Sequence, residues 1–171
     1  MLIRPATEIK PFNKCAPGEL VRLPYRSSPL AFVATGQDGT TLFQVRLEHE
    51  TRGIFPTYFL IKQDDQLEQE VISYGTDYVI DVVQGAQFEF GDQKLTNTPG
   101  ALWLHSADWF MFVAAASPEL GPGYYQLGSA TLGRGPQSNN SARFAHWTLN
   151  VPSTNPMRPS TLVQFEYKLE K

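Results

Sequence analysis

The chain has 171 residues, 42% hydrophobic and 12% aromatic, with 18% charged residues and a formal charge of −3. That is one domain's worth of chain, with too little charge and too many aromatics for disorder. A single Cys excludes an internal disulfide framework and a structural zinc site built on several thiolates.

In chain order, residues 1–18 read as an irregular N-terminal arm and 19–171 as a single all-β domain. Arg4, Lys10 and Lys14 interrupt the arm, which holds no apolar run of signal-peptide length. A lone Cys15 fits a reducing compartment. The expected location is therefore cytoplasmic, with export by another route left open. Val21–Tyr25 alternates, and Pro24, which lacks a ladder donor, points to an edge strand. Gly36-Gln37-Asp38-Gly39 separates the strands Pro29–Thr35 and Thr40–Glu48, because Asp-Gly tolerates the positive φ of a hairpin turn. In the second of these, Phe43, Val45 and Leu47 make one apolar face.

Asp64–Glu70 is the one stretch rich in helix formers, and it supports one or two turns. Tyr78, Ile80 and Val82 line one face of Asp77–Val83, and Gln84-Gly85 leads into Ala86–Phe90. Ala107-Asp108 sits between the strands Ala101–His105 and Trp109–Ala116. The apolar run Ala101–Ala116 contains His105, Ser106 and Asp108 and is too short to span a bilayer, so no membrane span is expected. Gly121-Pro122-Gly123 punctuates the next segment, and Gly133–Ser141 and Val151–Ser160 read as surface loops. Val163, Phe165, Tyr167 and Leu169 alternate along the last strand. About twelve short antiparallel strands at regular spacing predict a sandwich or barrel.

The charge is unevenly spread. Met1–Leu30 holds five bases and two acids (+3), Glu48–Asp92 ten acids and two bases (−8), and Arg134 to the end five bases and two acids (+3). A mildly acidic chain lacks the basic patch of a nucleic-acid binder. The asymmetry reads either as a solvated acidic face with ordinary basic ends, or as a homo-oligomer in which the basic terminus of one copy meets the acidic middle of another.

Three segments share a strand texture: Tyr58-Phe59-Leu60-Ile61, Trp109-Phe110-Met111-Phe112 and His146-Trp147-Thr148-Leu149. About twelve strands with a threefold aromatic echo resemble the β-trefoil superfamily, and a jelly-roll-like β-sandwich fits the same pattern. The trefoil resemblance implies a lectin or a protease inhibitor. An inhibitor would present a loop such as Pro152–Pro159. The unequal spacing of the three segments and the absence of a Gln-x-Trp signature depart from the pattern.

Chemistry-bearing motifs are sparse. The three histidines, His49, His105 and His146, form no His-x-His or His-Glu-x-x-His, so neither a metal nor another cofactor is expected. His105-Ser106-Ala107-Asp108 holds triad residue types but reads as a hairpin turn. Gly-x-Ser-x-Gly and phosphate-binding glycine runs are absent, and the sequence carries no recognisable catalytic motif. What remains is recognition. Tyr124, Tyr125, Arg134, Asn139 and Asn140 are residue types that stack on or hydrogen-bond to ligands, while alternation places Trp103 and one of the two tyrosines in the core. The expected function is a non-enzymatic module that binds a glycan or protein partner through loops on a β scaffold. A self-assembling subunit and a protease inhibitor are the alternatives.

Overall fold

The computed structural model describes residues 7–49, 53–61, 67–83, 88–90, 98–136, 141–152 and 160–166. Within them the protein is all-β, as its alternation requires. The strands before the midpoint are β1 (Glu8–Pro11), β2 (Leu20–Arg22), β3 (Leu30–Gly36), β4 (Leu42–His49), β5 (Gly53–Leu60), β6 (Glu70–Ser73) and β7 (Val79–Val82). Then come β8 (Phe88–Phe90), β9 (Leu102–His105), β10 (Asp108–Ala115), β11 (Gly123–Gln126), β12 (Thr131–Gly133), β13 (Ala142–Phe144), β14 (His146–Val151) and β15 (Ser160–Glu166).

Two three-stranded meanders, β3-β4-β5 and β10-β11-β12, close into a six-stranded barrel. The closure uses two short parallel pairings, Thr57 and Tyr58 against Ala114 and Ala115, and Thr131 and Leu132 against Thr35 and Gly36. These two pairings are exceptions to an otherwise antiparallel architecture. Such a barrel with added strands belongs to the all-β class that the sequence predicts.

The pairing pattern repeats when seven is added to every strand number. β1 pairs β6 as β8 pairs β13, and β2 joins β6 and β3 as β9 joins β13 and β10. The parallel closures exchange with each other, and β7 pairs with its own counterpart β14. Only β15, which pairs β14, lies outside the repeat. The internal symmetry is therefore twofold. Of the three aromatic segments, two lie in barrel strands β5 and β10, and the third lies in β14, in a separate three-stranded sheet.

The parallel closures make β3, β5, β10 and β12 run in one direction, so their C-terminal ends emerge together and the twofold axis follows the barrel axis. Inward alternation fills the barrel with Phe32, Ala34, Val45, Leu47, Met111, Val113, Tyr125 and Leu132. Trp147 and Leu149 of β14 belong to the same buried cluster, so the β7–β14 pair caps the end where β10 and β12 begin. There the Trp147 indole donates to Gly100 O at 2.7 Å and its ring stacks on Phe165 at 5.5 Å. Gly100, at φ +97°, is required because a Cβ there would collide with the Phe165 ring.

Two expectations are corrected. The arm is not irregular over residues 8–14, where β1 and a 3-10 turn (Phe12–Lys14) form. Its Phe12 and Cys15 are buried with Val21, Ala31, Val33 and Val71 in a second cluster on the outer barrel face. Nor is β2 an edge strand: it lies between β6 and β3, and Pro24 falls beyond its end. β1, in the basic arm, pairs antiparallel with β6, in the acidic middle. Lys10 lies 3.0 Å from the Glu19 carboxylate, which also accepts a hydrogen bond from Ser73. Residues 64–66 of the helix-former run lie outside the described residues, and its last residue, Glu70, opens β6.

Candidate functional site: the open mouth of the barrel

The end opposite the β7–β14 cap carries a pocket of about 520 Å³, within the size range of small-ligand sites. Both halves of the repeat build it, through the β3–β4 turn, the β10–β11 connection and the residues after β12. In the β3–β4 turn the Asp38 carboxylate accepts hydrogen bonds from the Thr40 and Thr41 amides at 3.0 Å and from the Thr41 hydroxyl. These bonds, led by the Thr41 hydroxyl, hold its pKa down to about 2. The turn thus presents a fixed negative charge and the Gln37 amide at the rim.

Phe43 and Tyr58 line the pocket below, packed edge to face with centroids 5.8 Å apart. The Tyr58 hydroxyl donates to Gly121 O at 2.6 Å and also lies 3.1 Å from Leu120 O, which ties down the β10–β11 connection. Burial pushes the Tyr58 phenol up, so it stays a neutral donor. On the far side, Gly133 lies against the Gln37 side chain, and Gly135 lies so close to the Tyr124 ring that a Cβ there would collide with it. Between them Arg134 is exposed at the rim, with no ion pair or hydrogen bond to a described residue. The mouth therefore offers acceptors on Asp38, donors on Arg134, both kinds on Gln37, and ring edges beneath them.

Of the three residues proposed from sequence that are described, Tyr124, Tyr125 and Arg134, Arg134 lines this pocket. Tyr125 is a correction: alternation in β11 points it inward, where it is 0% exposed and stacked on Phe32 at 5.2 Å. Its hydroxyl has no hydrogen-bond partner among the described residues, while neighbouring Tyr78 donates to Gly18 O at 3.0 Å. Burial pushes the phenol of Tyr125 well up. Tyr124 faces outward but is wedged between Trp103 and Phe112, at 5.2 Å from each. The start of the Gly133–Ser141 loop is thus packed rather than free. Asn139 and Asn140 lie outside the described residues, as do residues 153–159 of the inhibitor-type loop.

Gln37, Asp38, Thr41, Phe43 and Tyr58 were not predicted as site residues, because their turn and strand signals explain them without a ligand. The triad-like turn does not assemble: His105 Nδ1 lies 3.1 Å from Ser141 Oγ, away from its sequence neighbours. His146 instead faces Gln164. Among the described residues no group of three His, Cys, Asp or Glu gathers as metal ligands, and no helix is long and apolar enough to cross a membrane. No protein-family model matches the chain, and no curated protein or solved structure matches it at a significant level.

Proposed function

We propose that the protein is a binding module that takes a carbohydrate in the open mouth of its barrel. The observation carrying this reading is the exposed Arg134, which pairs with no described residue, at the rim of a pocket that also holds Gln37, Asp38, Phe43 and Tyr58. Sugar hydroxyls need convergent donors and acceptors, and sugar C–H faces pack on aromatic rings. Hydrogen bonds already made in the turn hold Asp38 in place, so little ordering cost falls on binding. A glycan array tests the reading. Binding to a restricted set of sugars, lost in Arg134→Ala, supports it, and a blank array across diverse sugars removes it.

A protein partner is the second reading, supported by a different surface. Ile9 and Ile72 sit directly opposite each other on β1 and β6 and are 68% and 38% exposed. Under that reading the array stays blank and Ile9→Lys abolishes the association. For the self-assembling form, the association is with a second copy and appears as a concentration-dependent rise in mass by light scattering.

A further inference from the structure

The twofold repeat is broken at the capped end. β14 has a partner on each side, β7 and β15, whereas β7 has β14 on one side and no partner on the other among the described residues. The Val83 amide donates to His146 O at 3.2 Å. In an antiparallel ladder, pairing direction alternates along the strand, so the N–H and C=O groups of Ile80 and Val82 point to the open edge. A strand edge in this state is a template for another chain.

Beside that edge lies a pocket of about 340 Å³ between β7 and the β9–β10 hairpin. Ile80, Val82, Leu102, Trp109 and Leu127 wall it, and all but Leu102 remain partly exposed. Its polar rim is Asp108, whose exposed carboxylate makes no hydrogen bond or ion pair to a described residue. Asp77 and Asp81 are exposed on and just before β7. The seam is thus an apolar slot beside a strand edge that pairs with no described residue, with three exposed acids around it.

We infer that the free edge of β7 accepts an extended, basic peptide segment of a partner protein, which pairs with β7 as β15 pairs with β14. Alternate residues of such a segment face the seam, so one apolar side chain enters the pocket while flanking lysines or arginines meet Asp108 and Asp77. The occupant is identified by three features: an extended backbone with free N–H groups, an aliphatic or aromatic residue, and positive charge on either side. β15 itself is the built example of strand addition at this end of the barrel.

The test titrates the full chain, labelled with nitrogen-15, with a lysine–valine–leucine–valine–lysine pentapeptide blocked at both ends. The expected result is saturable movement of the Ile80, Val82 and Trp109 amide and indole signals. Asp108→Lys should weaken the affinity about tenfold. N-methylation of the central leucine, which removes a ladder donor, should abolish binding, and a glutamate-flanked peptide should bind about tenfold more weakly. Asp108 is exposed, so its reversal leaves folding intact; unchanged signal dispersion in the variant confirms this. Any of three results overturns the inference: none of these signals moves, the N-methylated peptide binds as well as the parent, or the acidic peptide binds equally.

Discussion

The two ends of the barrel are built from the same repeat yet have opposite chemistry. The rim of the mouth is made of turns, whose Asp, Gln, Thr and Gly residues satisfy turn backbones, above a floor that includes Phe43, Tyr58 and Leu132. The capped end is made of strand faces, whose residues are apolar because alternation turns one side of β7, β9 and β10 toward the core. Pocket chemistry in this fold therefore follows from which part of the strand register lines the space. A polar ligand suits the first end and an apolar side chain the second.

Several changes should break or sharpen that contrast. The largest effect belongs to the cap. Trp147→Ala removes a fully buried indole and its bond to Gly100 O, and should cost about 3–5 kcal/mol in urea unfolding. If the barrel stands without its cap, the loss will be under about 1 kcal/mol. Next is the tie between arm and barrel. Burial pushes the Glu19 carboxyl up, but bonds from Ser73, the Ala16 amide and Lys10 outweigh this and hold it below its ordinary 4.5. A depressed carboxylate contributes stability above its unfolded value and loses it as pH falls through the folded one. Unfolding followed from pH 6 down to pH 2 should thus show an acid loss from about pH 4.5 downward that Glu19→Gln flattens.

Burial pushes the Cys15 thiol up to about 12, so it stays protonated. Native protein at pH 8 should react with iodoacetamide far more slowly than unfolded protein. Smaller still in stability is Gly135→Ala, whose Cβ displaces the loop from the Tyr124 ring and moves Arg134. It should weaken sugar binding several-fold while shifting the melting midpoint by only a few degrees. Arg134→Ala should leave stability within about 0.5 kcal/mol, since Arg134 bonds to no described residue.

Much of the scaffold was legible in the sequence. The alternation of Phe43, Val45 and Leu47 and the Asp38-Gly39 turn located β3 and β4, because these signals are local. At the β9–β10 hairpin the turn falls one residue earlier than expected. Ser106 and Ala107 both take positive φ there, a conformation neither residue type advertises. The twofold repeat was not legible: β4 and β5 have eight residues each, while their counterparts β11 and β12 have four and three. The parallel closures join only two residue pairs each, too few to leave a pattern. Of the site, Arg134 was legible because an exposed base beside glycines has no packing role. The residues it joins were hidden, because Asp38 is fully explained as a turn and Tyr58 as core.

The charge division also changes meaning. The basic arm and the acidic middle are joined by the backbone pairing of β1 with β6, while the Lys10–Glu19 ion pair lies within the N-terminal segment itself. The exposed acids Asp77, Asp81 and Asp108 are left at the capped end.

The most direct test of the two-ended account is a glycan array probed with the wild-type chain and Arg134→Ala side by side. The account predicts a restricted set of sugars bound by the wild type, and loss of that set in a variant whose urea midpoint is unchanged. A blank array, or an identical pattern for both proteins, would contradict it.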